Sequence, residues 1–163
     1  MVREISERDS RPKRIDEIDR KILLMLQRDG RMSLTELARR IGGLTKVAVS
    51  YRVKRLQRIG IIEGFHARLN PQLLGEGILF VTQLVLENKG PRGLLVARKI
   101  AALRGVQYVF LTFGDYDAFV LARAANESAA RDLVYEMYQT GGVVSSATRI
   151  SHTVVKESVD IRI

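Results

Sequence analysis

A chain of 163 residues, 46% hydrophobic and free of cysteine, suits one domain or two small ones and excludes wholesale disorder, disulfides and thiolate chemistry. Its net charge of +9 is unevenly placed: residues 1–70 hold 17 Lys or Arg against 9 Asp or Glu, residues 71–163 hold 10 against 9. That asymmetry predicts a polyanion-facing module joined to a near-neutral one.

No apolar run nears the roughly 20 residues a membrane span needs, and residues 1–14 hold no apolar core of signal-peptide length. A soluble, cytoplasmic protein without membrane contact is expected. Residues 1–14 mix both charges with Ser10 and Pro12 and read as a flexible arm. Its Arg11, Lys13 and Arg14 suit DNA backbone or minor groove, or simple solvation.

Asp16 is a good N-cap for a helix to about Arg28, with Ile18, Ile22, Leu23, Met25 and Leu26 at helical spacing. Asp29-Gly30 breaks it. Ser33 to Glu36 has capping-box spacing, so a second helix is predicted with Leu34, Leu37, Ala38 and Ile41 inward. Gly42-Gly43 ends it.

Thr45 then caps a third helix to Ile59, with Gly60 as its stop. The helix carries Lys46, Arg52, Lys54, Arg55 and Arg58 and no acid. On a helical wheel Ala48, Val49, Arg52, Val53, Leu56 and Ile59 fall to one side. Val47, Ser50, Tyr51, Lys54 and Arg58 fall opposite, with Arg55 at the margin. Cations for phosphates, short polar groups for base edges and a methyl-bearing side chain suit a major groove. Alone, such a face is equally compatible with mere solvation. Three short helices with a glycine turn before the cationic one make a helix-turn-helix pattern. The DNA-contacting set is expected to be Thr45, Lys46, Val47, Ser50, Tyr51, Lys54, Arg55 and Arg58. Lys46, Lys54 and Arg58 go to phosphate. Arg52 is expected to brace the helix through an acidic neighbour.

Ile61 to Leu69 reads as a strand of period 2, marked by Ile62, Phe65 and Leu69 and ended by Asn70-Pro71. Its His66 is more readily structural or solvent-facing than catalytic. Beyond it the elements run strand (Ile78–Glu87), helix (Pro91–Arg104), strand (Gln107–Phe113), strand (Tyr116–Ala124), helix (to about Thr140) and strand (Val143–Lys156). Val159, Ile161 and Ile163 alternate as a short fifth strand. Gly114-Asp115 suits a two-residue type II′ hairpin. The order is the ferredoxin-like arrangement. Its strands are apolar on both faces: Ile78, Phe80, Leu84 and Leu86 alternate with Leu79, Val81 and Val85. Two helices cover only one face, so a second chain is expected on the other, most simply in a symmetric dimer.

The Asp-Arg-x-Ile-Leu-x-x-Leu-Gln-x-Asp-Gly-Arg run, the Arg-Val-x-Arg-Leu helix and the Gly-Ile-Ile-x-Gly-Phe strand resemble the Lrp/AsnC (leucine-responsive, feast/famine) family over residues 15–160. One departure is Gly42-Gly43, where the family usually has a single glycine. The resemblance implies an α+β chain: a flexible arm (1–14), a helix-turn-helix domain (15–60), a hinge strand and linker (61–76) and a ferredoxin-like βαββαβ effector and oligomerisation domain (77–163). It implies that the hinge strand pairs across a homodimer, and that dimers assemble into tetramers or octamers. The segment FLTFGDYDAFVLAR resembles the family's Gly-Asp-Tyr/Phe-Asp hairpin beside an amino-acid cleft between dimers. Candidate effector contacts are therefore Thr112, Gly114, Asp115, Tyr116 and Asp117, with the aspartates suited to an α-ammonium group. Good turn formation and solvated loop aspartates explain the same residues.

The implied function is a sequence-specific DNA-binding transcriptional regulator modulated by an amino acid or related metabolite. Two carboxylates do not define a metal site, and phosphate-loop, nucleophile-elbow and zinc-helix motifs are absent. No catalytic residue, metal or cofactor is expected. Two alternatives share the architecture: a sirohaem-decarboxylase-like enzyme, for which His66 and His152 are the only histidines, and a DNA-independent effector-binding co-assembly subunit.

Overall fold

The structure is a computed structural model and describes residues 14–158 and 160–163. Arg11, Lys13 and Val159 lie outside the described residues. The chain divides into two compact units, one built on Leu69–Glu157, the other on the residues up to Arg68 together with Ser158–Ile163.

The helical unit contains α1 (Glu17–Arg28), α2 (Leu34–Ile41) and α3 (Lys46–Arg58). Asp16 caps α1 by accepting the Asp19 N–H at 2.8 Å, and Asp19 accepts the Asp16 N–H in return at 3.2 Å. Ser33 caps α2 through the Glu36 N–H at 3.1 Å. The reciprocal arm predicted there does not form. Arg39 and Arg40 take the Glu36 carboxylate instead, at 2.6 Å each, because charged partners on the same helix outcompete a neutral N–H. Gly42 and Gly43 both hold positive φ, 76° and 69°, so the turn into α3 uses a backbone open to glycine at two successive positions. Ile22, Leu37, Val49 and Leu56 are fully buried, with Leu23, Ala38 and Val53 nearly so. Each of the aliphatic side chains larger than alanine contributes roughly 1.5–3 kcal/mol of burial free energy, which fixes three short helices that would be marginal alone.

Residues 61–69 form no strand within the chain, and Phe65 and Leu69 are exposed. A strand exists only when a ladder satisfies its backbone, and this chain supplies no partner there.

The second unit is an antiparallel sheet of β1 (Ile78–Leu86), β2 (Val106–Leu111), β3 (Ala118–Ala124) and β4 (Val143–Ile150) in the order β2-β3-β1-β4. Helices α4 (Pro91–Ala101) and α5 (Glu127–Gln139) cover one face. Phe80, Leu84, Val120, Ile100, Leu133 and Met137 make the core between the layers. Buried Thr82 is satisfied by the Thr148 hydroxyl at 3.0 Å.

The other face carries Leu79, Val81 and Val85 of β1, with Tyr108 and Phe110 of β2 opposite Leu121 and Phe119 of β3. Phe110 and Phe119 stack at 5.8 Å, and Phe110 stays 51% exposed. The double-sided apolarity read from the sequence is therefore present, and α4 and α5 of this unit both lie on the opposite face.

Two further strand expectations differ from the structure. β4 ends at Ile150, because its partner β1 begins at Ile78 and the Ser151 N–H to Leu79 carbonyl bond is the last available. No fifth strand forms among the described residues 160–163. Ile161 instead exchanges two hydrogen bonds with Gln27 of α1, and Ile163 packs on the helical core.

Candidate nucleic-acid interface and effector site

The third helix is positioned by its caps and one buried stripe. Thr45 accepts the Ala48 N–H at 3.1 Å, Gly60 leaves the helix at φ 78°, and Val49, Val53 and Leu56 lie in the core. The residues predicted to face outward do so. Val47 is 76% and Tyr51 64% exposed, Lys46, Lys54 and Arg58 are exposed, and Ser50 is half-buried between them. Among the described residues no ion pair engages those three cations. Thr45, Val47 and Tyr51 also border an open groove of about 720 Å³ beside Asp16 and Leu44.

Arg52 behaves as predicted. Its Nη1 donates to Asp16 at 2.6 Å and to Asp19 at 2.9 Å. Arg55, expected among the DNA-contacting cations, is engaged inside the helical unit. Its Nη1 donates to the other Asp19 oxygen at 2.9 Å and its Nη2 to the Arg14 carbonyl at 2.9 Å. Asp19, with no exposure at all, was missed. The available signal was a pair of arginines three residues apart flanking the buried stripe of α3. The Asp19 N–H, then the Arg52 guanidinium, hold the Asp16 carboxyl below the usual range. Asp16 in turn leads the causes that raise Arg52. On α2, Arg39 and Arg40 lower Glu36 to about 2.

The Gly114 hairpin is not a two-residue turn. Its loop runs from Thr112 to Asp117 and is closed by the Thr112 N–H to the Asp117 carbonyl at 2.9 Å, with the Thr112 hydroxyl donating to the Tyr116 carbonyl at 2.7 Å. Asp117 is buried, accepts the Leu86 N–H at 2.9 Å and pairs with Lys89 at 3.1 Å. Those two contacts, the backbone N–H first, lower its carboxyl. Side-chain and backbone bonds of this kind lengthen the loop where glycine alone would have allowed a tighter one. Gly114 and Asp115 are exposed and Tyr116 is half-buried, its ring edge-on to Phe119 at 6.2 Å.

Sequence reasoning also missed a groove of about 360 Å³ between α5 and β4. Glu127 and Arg131 line it from α5, one turn apart, and Ser146 and Thr148 from β4, with Ala130, Val134 and Ile150 as its apolar lining. Tyr135 adds a third hydroxyl-bearing side chain to the lining. One acid, one base, three hydroxyl-bearing side chains and an apolar wall match the groups of a zwitterion with an apolar side chain. Nothing in the sequence joins α5 to β4 before the sheet order is known. Among the described residues no cluster of His, Cys, Asp or Glu has metal-holding geometry, and no helix is long and apolar enough to cross a membrane.

Residues 15–57 match the AsnC-type helix-turn-helix domain and residues 85–161 the Lrp/AsnC ligand binding domain. The chain is 33% identical to the HTH-type transcriptional regulator FL11 of Pyrococcus furiosus, over 90% of this chain and 95% of that one. It is 36% identical to the leucine-responsive regulatory protein of Escherichia coli K12, over 90% of each. Its fold matches the feast or famine regulatory protein from M. tuberculosis complexed with L-methionine, with a TM-score of 0.81 at 26% identity, covering 90% of this chain and 97% of that one. With both halves matched in order, this chain belongs to the Lrp/AsnC family of transcriptional regulators.

Proposed function

We propose that this protein is a sequence-specific DNA-binding regulator that acts as a homodimer or higher assembly and responds to an amino acid. The observation that carries the reading is the outer face of α3, where three cations surround Val47, Ser50 and Tyr51. Lys46, Lys54 and Arg58 neutralise phosphates, the Ser50 hydroxyl and Tyr51 meet base edges or backbone, and Val47 meets a thymine methyl. The uncovered apolar sheet face supports pairing with a second copy, which would bring two α3 helices to successive major grooves about 34–36 Å apart. The relatives from P. furiosus, E. coli and M. tuberculosis are named as regulators, which favours this over the decarboxylase reading.

The E. coli relative is named for leucine, and the M. tuberculosis relative was crystallised with L-methionine. By extension the effector class here is an apolar amino acid. We assign its ammonium to Glu127, its carboxylate to Arg131 and the β4 hydroxyls, and its side chain to Val134 and Ile150. Asp115 of the hairpin is the competing ammonium partner, since Asp117 is committed to Leu86 and Lys89. Binding would favour one assembly over another and so change DNA affinity.

Selection of bound sequences from genomic DNA by the purified protein, repeated with a panel of amino acids, tests the reading. Recovery of a recurring sequence, altered by one or more amino acids, is expected. No enrichment over a random pool would overturn it. An amino-acid-induced thermal shift abolished by Arg131→Ala supports the α5–β4 groove, and one abolished by Asp115→Ala alone moves the site to the hairpin.

A further inference from the structure

We infer that Asp19 is a specificity-determining positioning residue: from inside the helical unit it withholds two of the five cations of α3 from DNA phosphate. This rests on the DNA-binding reading above and adds to it a device for limiting sequence-independent affinity.

Cations on a recognition helix have two effects. They add affinity for any DNA, and each phosphate contact steepens the dependence of log K on log salt by about 0.9. Discrimination comes from groups that meet base edges and from sequence-dependent DNA shape, and a bare phosphate contact carries no sequence information directly. A helix with five cations and no acid is therefore biased towards indiscriminate binding, unless some are tied back.

Both oxygens of Asp19 are used for that. Oδ1 accepts from Arg52 Nη1 and Oδ2 from Arg55 Nη1, each at 2.9 Å, and Oδ2 also accepts the Asp16 N–H. Asp16 adds a second acceptor for Arg52, and the Arg14 carbonyl one for Arg55. The arginine side chains are 23% and 30% exposed, and they line the same open groove as Thr45, Val47 and Tyr51. A released guanidinium would emerge beside the DNA-facing side chains.

The helix does not need the network to exist. Its caps are Thr45 and Gly60, and its packing comes from Val49, Val53 and Leu56. A buried carboxylate must be paired, but the arginines reach water without it. Among the described residues Asp19 is thus the one acceptor shared by the two guanidinium groups, with Asp16 and the Arg14 carbonyl each holding one of them.

The test is a fluorescence-anisotropy titration against salt, on a random-sequence duplex and on a sequence recovered by selection. Asp19→Asn is expected to steepen the salt slope on random DNA by about one to two. Random-sequence affinity should rise several-fold and the selected-to-random ratio should fall. Adding Arg52→Gln and Arg55→Gln to Asp19→Asn should return the slope to its original value. A folded Asp19→Asn protein with an unchanged or shallower slope would overturn the inference. If Asp19→Asn does not fold, Arg52→Gln and Arg55→Gln in the unaltered protein decide it. Each should leave the random-DNA slope unchanged, and a drop of about one for either overturns it. Failure of the unaltered protein to bind DNA would instead overturn the reading beneath it.

Discussion

The primary amide of Gln27 holds the backbone of Ile161 from both sides, accepting its N–H at 2.7 Å and donating to its carbonyl at 3.0 Å. The two residues are 134 positions apart. The amide completes the hydrogen bonding of a single extended residue as a neighbouring strand would, while Ile163 packs against the core of the helices. Gln27→Ala should cost the helical unit about 1 kcal/mol, because exposed hydrogen bonds contribute at the low end of their range. Amide exchange at Ile161 should accelerate. Exchange measured by mass spectrometry on the C-terminal peptide checks this, and protection equal to that of the parent protein would refute it.

Lys54 projects from the outer face of α3 with no ion partner among the described residues. Lys54→Ala should weaken binding to every DNA sequence and make the salt slope shallower by about one. Ser50→Ala should instead reduce discrimination between sequences and leave the slope alone. An unchanged slope for Lys54→Ala would remove it from the phosphate contacts.

Asp117 ties the end of the hairpin to the end of β1. Asp117→Ala leaves the Leu86 N–H without its acceptor and should cost about 1–3 kcal/mol of stability. Thermal or urea unfolding gives the value. A loss within error would mean that the loop finds another acceptor.

Three carboxyls titrate low: Asp16, Asp117 and Glu36, the last at about 2. A depressed folded value contributes stability that is present above the unfolded value, near pH 4, and is lost as pH falls through the folded value. The melting midpoint should therefore decline below about pH 4 and continue to decline towards about pH 2. Glu36→Gln should flatten the lowest part of that decline. Melting curves between those limits are the check, and an identical profile for the variant would contradict the Arg39 and Arg40 pairing.

Phe110 lies half-exposed on the uncovered sheet face, stacked on Phe119. If that face pairs with a second copy, Phe110→Asp places a charge in an apolar interface and should shift the assembly towards monomer. Sedimentation velocity across a concentration series distinguishes the outcomes. An unaltered assembly would place the interface elsewhere.

Much of this protein is determined by neighbours in sequence. The helix caps at Asp16, Ser33 and Thr45, the outward and inward faces of α3, and the βαββαβ order all follow from relations within about one helical turn or one alternation of a strand. These are legible because a cap or a periodic face depends on residues at most four apart. The candidate site was legible to the same depth: the outward placement of Val47, Tyr51, Lys54 and Arg58 on α3 follows from a wheel. Packing decided the rest. Asp19 lies 33 and 36 positions from its two arginines, and only the approach of α1 to α3 pairs it with Arg52 and Arg55. The α5–β4 groove exists only once β4 pairs with β1. Ile161 lies in no ladder and takes its hydrogen bonds from the side-chain amide of Gln27, 134 positions away. Interactions of this kind are set by which surfaces meet, and that depends on the three-dimensional packing of residues far apart in the chain.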